Sequence, residues 1–358
     1  MNDPALDWLG SQYQNADAAH NTLWLCDEAA REFTDQLPLR PNTQFVSNRW
    51  DIATRLGEGQ HRVSFNDFNL DTIADDSFDA VYYRVSKEKP VVHHLINAAA
   101  RILKPGGQLI IAGLKNEGAK SILDKAAKRL GCAKATQKNG LAYGARLSKI
   151  ELSAPLDDSD YHRLRAIATL TEGGANNASL WSKPGQFGWQ KTDAGSAFFI
   201  ATLKQQSLST HQPLTVLDLG CGYGYLTACA AHSILHKHLA HYTLTDNNAA
   251  ALQSARYNCE QLGLSAAVIA SDAGREINGR FDLILCNPPF HQGFNVSDDL
   301  TERFIASAAA HLSKNGQAFF VVNAFIGIEQ KAKAHFAQYQ ELANNRQFKV
   351  LQFTGPTL

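Results

Sequence analysis

Two stretches of this chain repeat one plan, and that repetition limits the possible folds more than any other feature. Phe78-Asp79-Ala80-Val81-Tyr82-Tyr83 parallels Phe281-Asp282-Leu283-Ile284-Leu285-Cys286. In the same order, Ile102-Leu103-Lys104-Pro105-Gly106-Gly107-Gln108-Leu109-Ile110-Ile111 parallels His311-Leu312-Ser313-Lys314-Asn315-Gly316-Gln317-Ala318-Phe319-Phe320. Each pair is a short apolar run, a helix-length interval and a second apolar run entered through a glycine turn, which reads as a β-α-β module present twice. A length of 358 residues exceeds what one hydrophobic core organises, so two domains are expected.

From Pro213 onward, short β-branched apolar runs alternate with amphipathic stretches. The expected strands are Leu214 to Leu219, Tyr242 to Asp246, Ala266 to Ser271, Leu283 to Asn287, Gln317 to Asn323 and Phe348 to Phe353. Right-handed crossovers make this a doubly wound, mainly parallel α/β sheet with ligands at the carboxyl ends of the strands. The stretch from Glu151 to Gly185, with Pro155, Gly173-Gly174 and Asn176-Asn177, reads as a connecting segment. The expected division is residues 1–165, a linker over 166–185, and 186–358.

The strongest local signal is Val216-Leu217-Asp218-Leu219-Gly220-Cys221-Gly222-Tyr223-Gly224, an apolar strand running into a glycine-rich turn that opens a helix. Glycines there permit positive φ and let a ligand lie against the backbone. The spacing is G-x-G-x-G behind an acidic residue, not the G-x-G-x-x-G that cradles a pyrophosphate, and it suits a zwitterionic amino-acid tail. Asp246 ends the second strand, where a carboxylate can accept both ribose hydroxyls, and Asp272 ends the third, where it could meet an adenine amine. Either could instead be a helix N-cap, but the ordered set Asp218, Gly220, Gly222, Gly224, Asp246 and Asp272 points to S-adenosylmethionine. Upstream, Asp193 is a candidate N-cap and Gly195 would let that cofactor approach, with Ser196 beside it. Phe187 and Trp189 read either as core residues or as a cover over the site.

The fourth strand ends in Asn287-Pro288-Pro289-Phe290-His291. An exocyclic amine on a base shares its lone pair with the ring and is a poor nucleophile. Two acceptors on its protons, the Asn287 side-chain oxygen and the Pro288 carbonyl, would favour a pyramidal nitrogen aimed at a sulfonium methyl. Positioning of that kind can contribute roughly 7 to 11 kcal/mol. Pro288 and Pro289 stiffen the turn, and Phe290 offers a face for the base to stack on. His291 could take a proton, contact phosphate or pack.

Composition narrows the classes further. Lys+Arg and Asp+Glu balance at 34 each, so any nucleic-acid partner must meet a local basic patch. The run Lys115, Lys120, Lys125, Lys128, Arg129, Lys134 and Lys138 is one candidate, although such a stretch is more often a solvated helix face. No apolar stretch approaches the roughly 20 residues of a membrane span, and the N-terminus lacks a secretory pattern, so a cytoplasmic protein is expected. The six cysteines show no C-x-x-C pair or zinc spacing, so neither disulfides nor a metal site is expected.

With these residues assembled, the chain resembles the bacterial ribosomal RNA guanine-N2 methyltransferases, most closely the small-subunit methyltransferase C family. The resemblance spans nearly the whole length. It rests on Asp218 to Gly224, Asn287-Pro288-Pro289-Phe290-His291, Asn323-Ala324-Phe325 and Phe348-Lys349-Val350, and on Tyr82-Tyr83, Lys87-Glu88-Lys89-Pro90 and Gly113-Leu114-Lys115-Asn116-Glu117-Gly118. It implies two tandem Rossmann-like class I methyltransferase domains of which the first has lost its cofactor. The first half agrees: Leu23-Trp24-Leu25-Cys26-Asp27-Glu28-Ala29-Ala30 has no glycine, and Arg84-Val85-Ser86-Lys87 stands where Asn-Pro-Pro would be. It further implies a monomer that methylates N2 of a guanine in 16S rRNA of the small subunit, guanine 1207 in the usual numbering, and releases S-adenosylhomocysteine. Asn287, Pro288, Pro289 and Phe290 would be catalytic, with Phe290, His291, Lys87, Lys89 and Lys115 on the RNA. Gly188 departs from the family's serine. Rivals are 23S rRNA, adenine N6 or glutamine as acceptor, and a ribosome-assembly or RNA-chaperone role.

Overall fold

The structure is a computed structural model that describes residues 3–31, 37–171, 177–206, 208, 213–236, 238–289 and 298–357. The chain divides into two compact units, Met1–Arg163 and Leu164–Leu358. The first holds strands β1 (Thr22–Cys26), β2 (Thr43–Ser47), β3 (Arg62–Phe65), β4 (Phe78–Arg84), β5 (Leu103–Leu114), β6 (Thr136–Asn139) and β7 (Ala142–Ser148). Its helices are α1 (Pro4–Gln14), α2 (Trp50–Glu58), α3 (Lys89–Ile102) and α4 (Ala119–Leu130). The second opens with a hairpin of β8 (Arg165–Leu170) and β9 (Ala178–Ser182). Its main strands are β10 (Leu214–Leu219), β11 (Ala240–Asp246), β12 (Ala266–Ala270), β13 (Phe281–Cys286), β14 (Leu312–Asn323), β15 (Phe336–Asn344) and β16 (Phe348–Pro356). Its helices are α5 (Ala194–Leu203), α6 (Tyr225–Ser233), α7 (Ala249–Gln261), α8 (Asp298–His311) and α9 (Ile328–Ala332).

The two seven-stranded sheets have the same topology, β3-β2-β1-β4-β5-β7-β6 and β12-β11-β10-β13-β14-β16-β15. In each, five strands are parallel and the last two pair antiparallel. Alternation along the strands divides each core into two faces. In the second unit Val216, Leu283, Leu285 and Phe319 pack on one side, and Leu217, Leu219, Ile284 and Phe320 on the other.

Local detail repeats with the topology. Asp79 Oδ2 accepts the Asn21 N–H at 2.9 Å, and its counterpart Asp282 Oδ2 accepts the Thr215 N–H at 3.0 Å. Gly107 and Gly316 enter the fifth strand of each sheet, where a Cβ would stand 3.1 Å from the Phe78 carbonyl oxygen and 2.9 Å from that of Phe281. The duplication read from the two sequence parallels is therefore present strand by strand.

Differences from the expected elements are local. The strand β15, Phe-Ala-Gln-Tyr-Gln-Glu-Leu-Ala-Asn, is an added edge strand that mostly faces solvent, so no apolar alternation announces it. The hairpin β8–β9 falls within the segment read as a connector, and Asn258 of α7 binds the Trp181 N–H and carbonyl at 2.8 Å each. In the lysine-rich run, Arg129 is buried on the Ser153 carbonyl, Lys134 pairs with Asp124, and Lys120 lies 4.8 Å over the Tyr143 ring. Arg129 thus serves the packing of the first unit, while Lys120 and Lys134 stay exposed on its surface.

Candidate active site

At the carboxyl end of β13 stands Asn287, and the start of α5 is folded against it. Asp193 caps that helix, its Oδ2 accepting the Ser196 N–H at 2.8 Å. The Asn287 amide nitrogen donates to the same Asp193 Oδ2 at 3.0 Å and to Ser196 Oγ at 2.8 Å. A carboxylate only accepts, so the amide nitrogen must face α5, and Oδ1 becomes the end that faces elsewhere. Gly195 is needed for the fit, since its Cβ would lie 3.1 Å from both Asp193 Oδ2 and the Phe348 ring. Pro288 is buried and Pro289 exposed, while Phe290 and His291 lie outside the described residues.

The glycine loop follows β10. Gly220, Gly222 and Gly224 have φ of 79°, 54° and 83°, all in the left-handed region that favours glycine. A Cβ on Gly220 would meet Phe304 at 2.9 Å, whereas one on Gly222 would meet nothing within 4 Å. Asp246, at the end of β11, fixes the loop: Oδ2 accepts the Gly222 N–H and Oδ1 the Asn248 N–H, both at 2.9 Å. Asn248 reaches on to the Gly185 carbonyl at 2.6 Å, which brings the segment before α5 to the same strand end. Beside it Phe187 is 85% exposed, which removes the core reading, and Trp189 is half-buried under Arg165.

Asp218 is wholly buried, and its Oδ2 accepts Thr227 N–H and Oγ1 at 3.1 and 2.7 Å, tying β10 to α6. Burial pushes its carboxyl up to about 7, against the Thr227 bonds and with a smaller push from Asp246. Its Oδ1 is a buried acceptor with no hydrogen-bond partner among the described residues. Asp272 pairs with Arg303 of α8, so one of its oxygens is committed within the fold. A buried acceptor left over on Asp218, backbone space at Gly222 and a carboxylate at Asp246 fit the zwitterionic tail and ribose of S-adenosylmethionine. Among the described residues no cluster of three or more His, Cys, Asp or Glu could hold a metal, and all six cysteines are free thiols.

The matched registers show what the first unit carries at the same places. Trp24 pairs with Tyr82 as Asp218 pairs with Leu285, so a tryptophan stands where the buried aspartate would be. It stacks on Tyr82 at 4.6 Å. Cys26 stands for Gly220 and Ser47 for Asp246, and Arg84 stands for Asn287. Arg84 bonds Asp3, the N-cap of α1, at 2.6 Å and also Glu117. The first unit thus keeps a strand-end side chain held by a helix N-cap, but a buried guanidinium locked between two carboxylates replaces the amide. Lys87, Lys89 and Lys115 are exposed at the carboxyl ends of β4 and β5. Thr227, Asn248 and Asp3 were not singled out from sequence, and Phe348 and Arg84 were named only within longer segments; Asn248, Phe348 and Asp3 act through contacts distant along the chain.

Comparison with known proteins agrees with this division. Residues 177–352 match the model of the methyltransferase small domain, and residues 13–152 match that of the methyltransferase small domain N-terminal family. The chain is 31% identical to the ribosomal RNA small subunit methyltransferase C of Erwinia tasmaniensis over 330 residues, 90% of each chain. It is equally similar to that of Klebsiella pneumoniae, 31% over 333 residues and again 90% of each. Among solved structures it is similar to the T. thermophilus 16S rRNA N2 G1207 methyltransferase (RsmC) in complex with AdoMet and guanosine. That likeness has a TM-score of 0.81 at 25% identity and covers 99% of this chain and 92% of the other.

Proposed function

The chain belongs to the ribosomal RNA small subunit methyltransferase C family, and from that membership we propose that it methylates the exocyclic N2 amine of a guanine in 16S rRNA, at position 1207. It is an S-adenosylmethionine-dependent enzyme of two class I methyltransferase-like units; the glycine loop and Asn287 support assigning the chemistry to the second. The reading rests above all on the orientation of the Asn287 amide. With its N–H groups on Asp193 and Ser196, its carbonyl oxygen is the acceptor available to an incoming amine.

The cofactor would be held by Asp218 and the Gly220–Gly224 loop at its amino-acid tail and by Asp246 at its ribose, with Asp193, Gly195, Ser196 and Asp272 completing its surroundings. When bound, it supplies an electrophilic methyl group. The chain's own part is to hold and orient the nucleophile. Asn287 Oδ1 and the Pro288 carbonyl accept the two amine protons, which draws the nitrogen out of conjugation and fixes its lone pair. Asp193 and Ser196 are positioning residues that stop the amide from flipping. Pro288, buried behind the turn, keeps the second acceptor in place. The target base must leave its stack to reach such a pocket, and Phe290 and His291 complete the substrate side.

The first unit supports the fold and contributes Lys87, Lys89 and Lys115 as phosphate contacts. The catalytic half is read as residues 186–358, which lie within the second compact unit, Leu164–Leu358. No helix among the described residues is long and apolar enough to cross a membrane; from the ribosomal RNA substrate we place the protein in the cytoplasm.

Incubating the protein with donor labelled in the methyl group, alongside separated 16S and 23S rRNA, DNA and a release factor, tests the reading. Label is expected in 16S rRNA alone. Label in 23S rRNA, an adenine or a glutamine would replace it with one of the rival acceptors.

A further inference from the structure

The sequence singled out Asn323-Ala324-Phe325, and no step described so far uses its phenylalanine. Phe325 is 76% exposed on the turn that leaves β14. It stands close to the site. Asn323 pairs with Phe348, the Phe348 ring closes on Gly195, and Gly195 adjoins the Asp193 carboxylate that holds Asn287. The Ala324 N–H donates to the Gln347 carbonyl at 2.9 Å, which ties this turn to the β15–β16 turn, where Arg346 is exposed.

The first unit supplies an internal control. There the Lys115 N–H donates to the Leu141 carbonyl at 3.0 Å, so the same two turns are joined by the same bond. Counting from the matched strands, Asn116 stands where the second unit has Phe325, and Gly140 where it has Arg346. Gly140 has φ of 56°, the left-handed conformation natural to glycine. Arg346 holds φ of 71° in the same place, a conformation that costs a residue with a side chain and that recurs at functional sites. Asn344 Oδ1 on the Arg346 N–H, at 2.9 Å, and Asn345 Oδ1 on Gln347 and Phe348, at 3.0 and 2.7 Å, keep the turn in place despite it. Only the copy with the catalytic loop and Asn287 places an exposed aromatic ring and a guanidinium on these two joined turns.

We infer that Phe325 and Arg346 form a platform for single-stranded RNA beside the methyl-acceptor site. An unpaired base next to the target guanine stacks on Phe325, and its phosphate meets Arg346. This deepens the RNA reading of the same site and rests on it. Stacking is tolerant of base identity and a guanidinium suits phosphate, so the pair holds the strand once the guanine has left its stack. Base selection remains with the pocket.

The first unit dictates variants that the fold accepts: Phe325→Asn and Arg346→Gly, with Phe325→Trp as the conservative control. Binding of a fluorescent single-stranded, guanine-containing RNA oligonucleotide is measured by anisotropy, and donor affinity by calorimetry. Phe325→Asn should weaken RNA binding about tenfold, and Phe325→Trp should retain it. Arg346→Gly should lower the slope of log affinity against log salt by ~0.7, the loss of one phosphate contact to a single strand. Donor affinity should be unchanged in all three. Unaltered RNA binding in both Phe325→Asn and Arg346→Gly, or a loss confined to donor binding, overturns the platform. Binding is read without methyl transfer, so a failure of the proposed reaction on 16S rRNA would be seen separately.

Discussion

At the scale of residues, the proposed chemistry turns on an amide held in one orientation by two hydrogen bonds. Asn287 holds its orientation because Asp193 and Ser196 take its N–H groups. Asn287→Ala removes the acceptor, and loss of one preorganised hydrogen-bonding group from an active site lowers kcat roughly 100- to 1000-fold. Single-turnover methyl transfer should show that loss, with donor affinity by calorimetry within a few-fold of the original. A variant that keeps its rate would mean the Asn287 carbonyl does not prepare the amine. The sequence made Asn287 and the glycines legible as single letters. It could not reveal that Asp193 and Ser196, 94 and 91 residues away, hold the amide itself and not only the cofactor side of the site.

At the scale of elements, strand ends are fastened to helix starts, and one fastening is sensitive to pH. Asp218 joins β10 to α6 through Thr227, and burial raises its carboxyl from 3.8 to about 7. The folded state therefore favours the protonated acid. Its contribution to stability is complete below about pH 3.8 and is lost as pH rises to about 7. In the absence of donor, Asp218→Asn should gain stability relative to the original between about pH 4 and about pH 8, by an amount on the order of 4 kcal/mol. Chemical denaturation across that range measures it, and parallel pH profiles for the two proteins would contradict it. Elements with buried apolar runs were legible in sequence: β10 spans Leu214–Leu219 as expected, and β11, β12, β13, β14 and β16 overlap their expected ranges. The exposed edge strand β15 and the hairpin β8–β9 were not, since polar or glycine-flanked strands carry no periodic signal.

At the scale of the whole molecule, one fold occurs twice and its two copies have parted in chemistry at equivalent positions. The repeated apolar runs made the duplication visible, and the absence of glycine after Leu25 marked the copy without a cofactor loop. What replaced the site needed the sheet registers. Trp24 fills the place of Asp218, and Arg84 is locked where Asn287 would be. On the proposed function, methyl transfer belongs to the second copy, on an amine that Asn287 and Pro288 would prepare. The most direct measurement is mass spectrometric mapping of 16S rRNA from cells lacking this protein, before and after treatment with the purified enzyme and S-adenosylmethionine. One N2-methylguanine should appear, at position 1207, and should fail to appear with Asn287→Ala. A methyl group on any other atom, or the same product from the alanine variant, would contradict it.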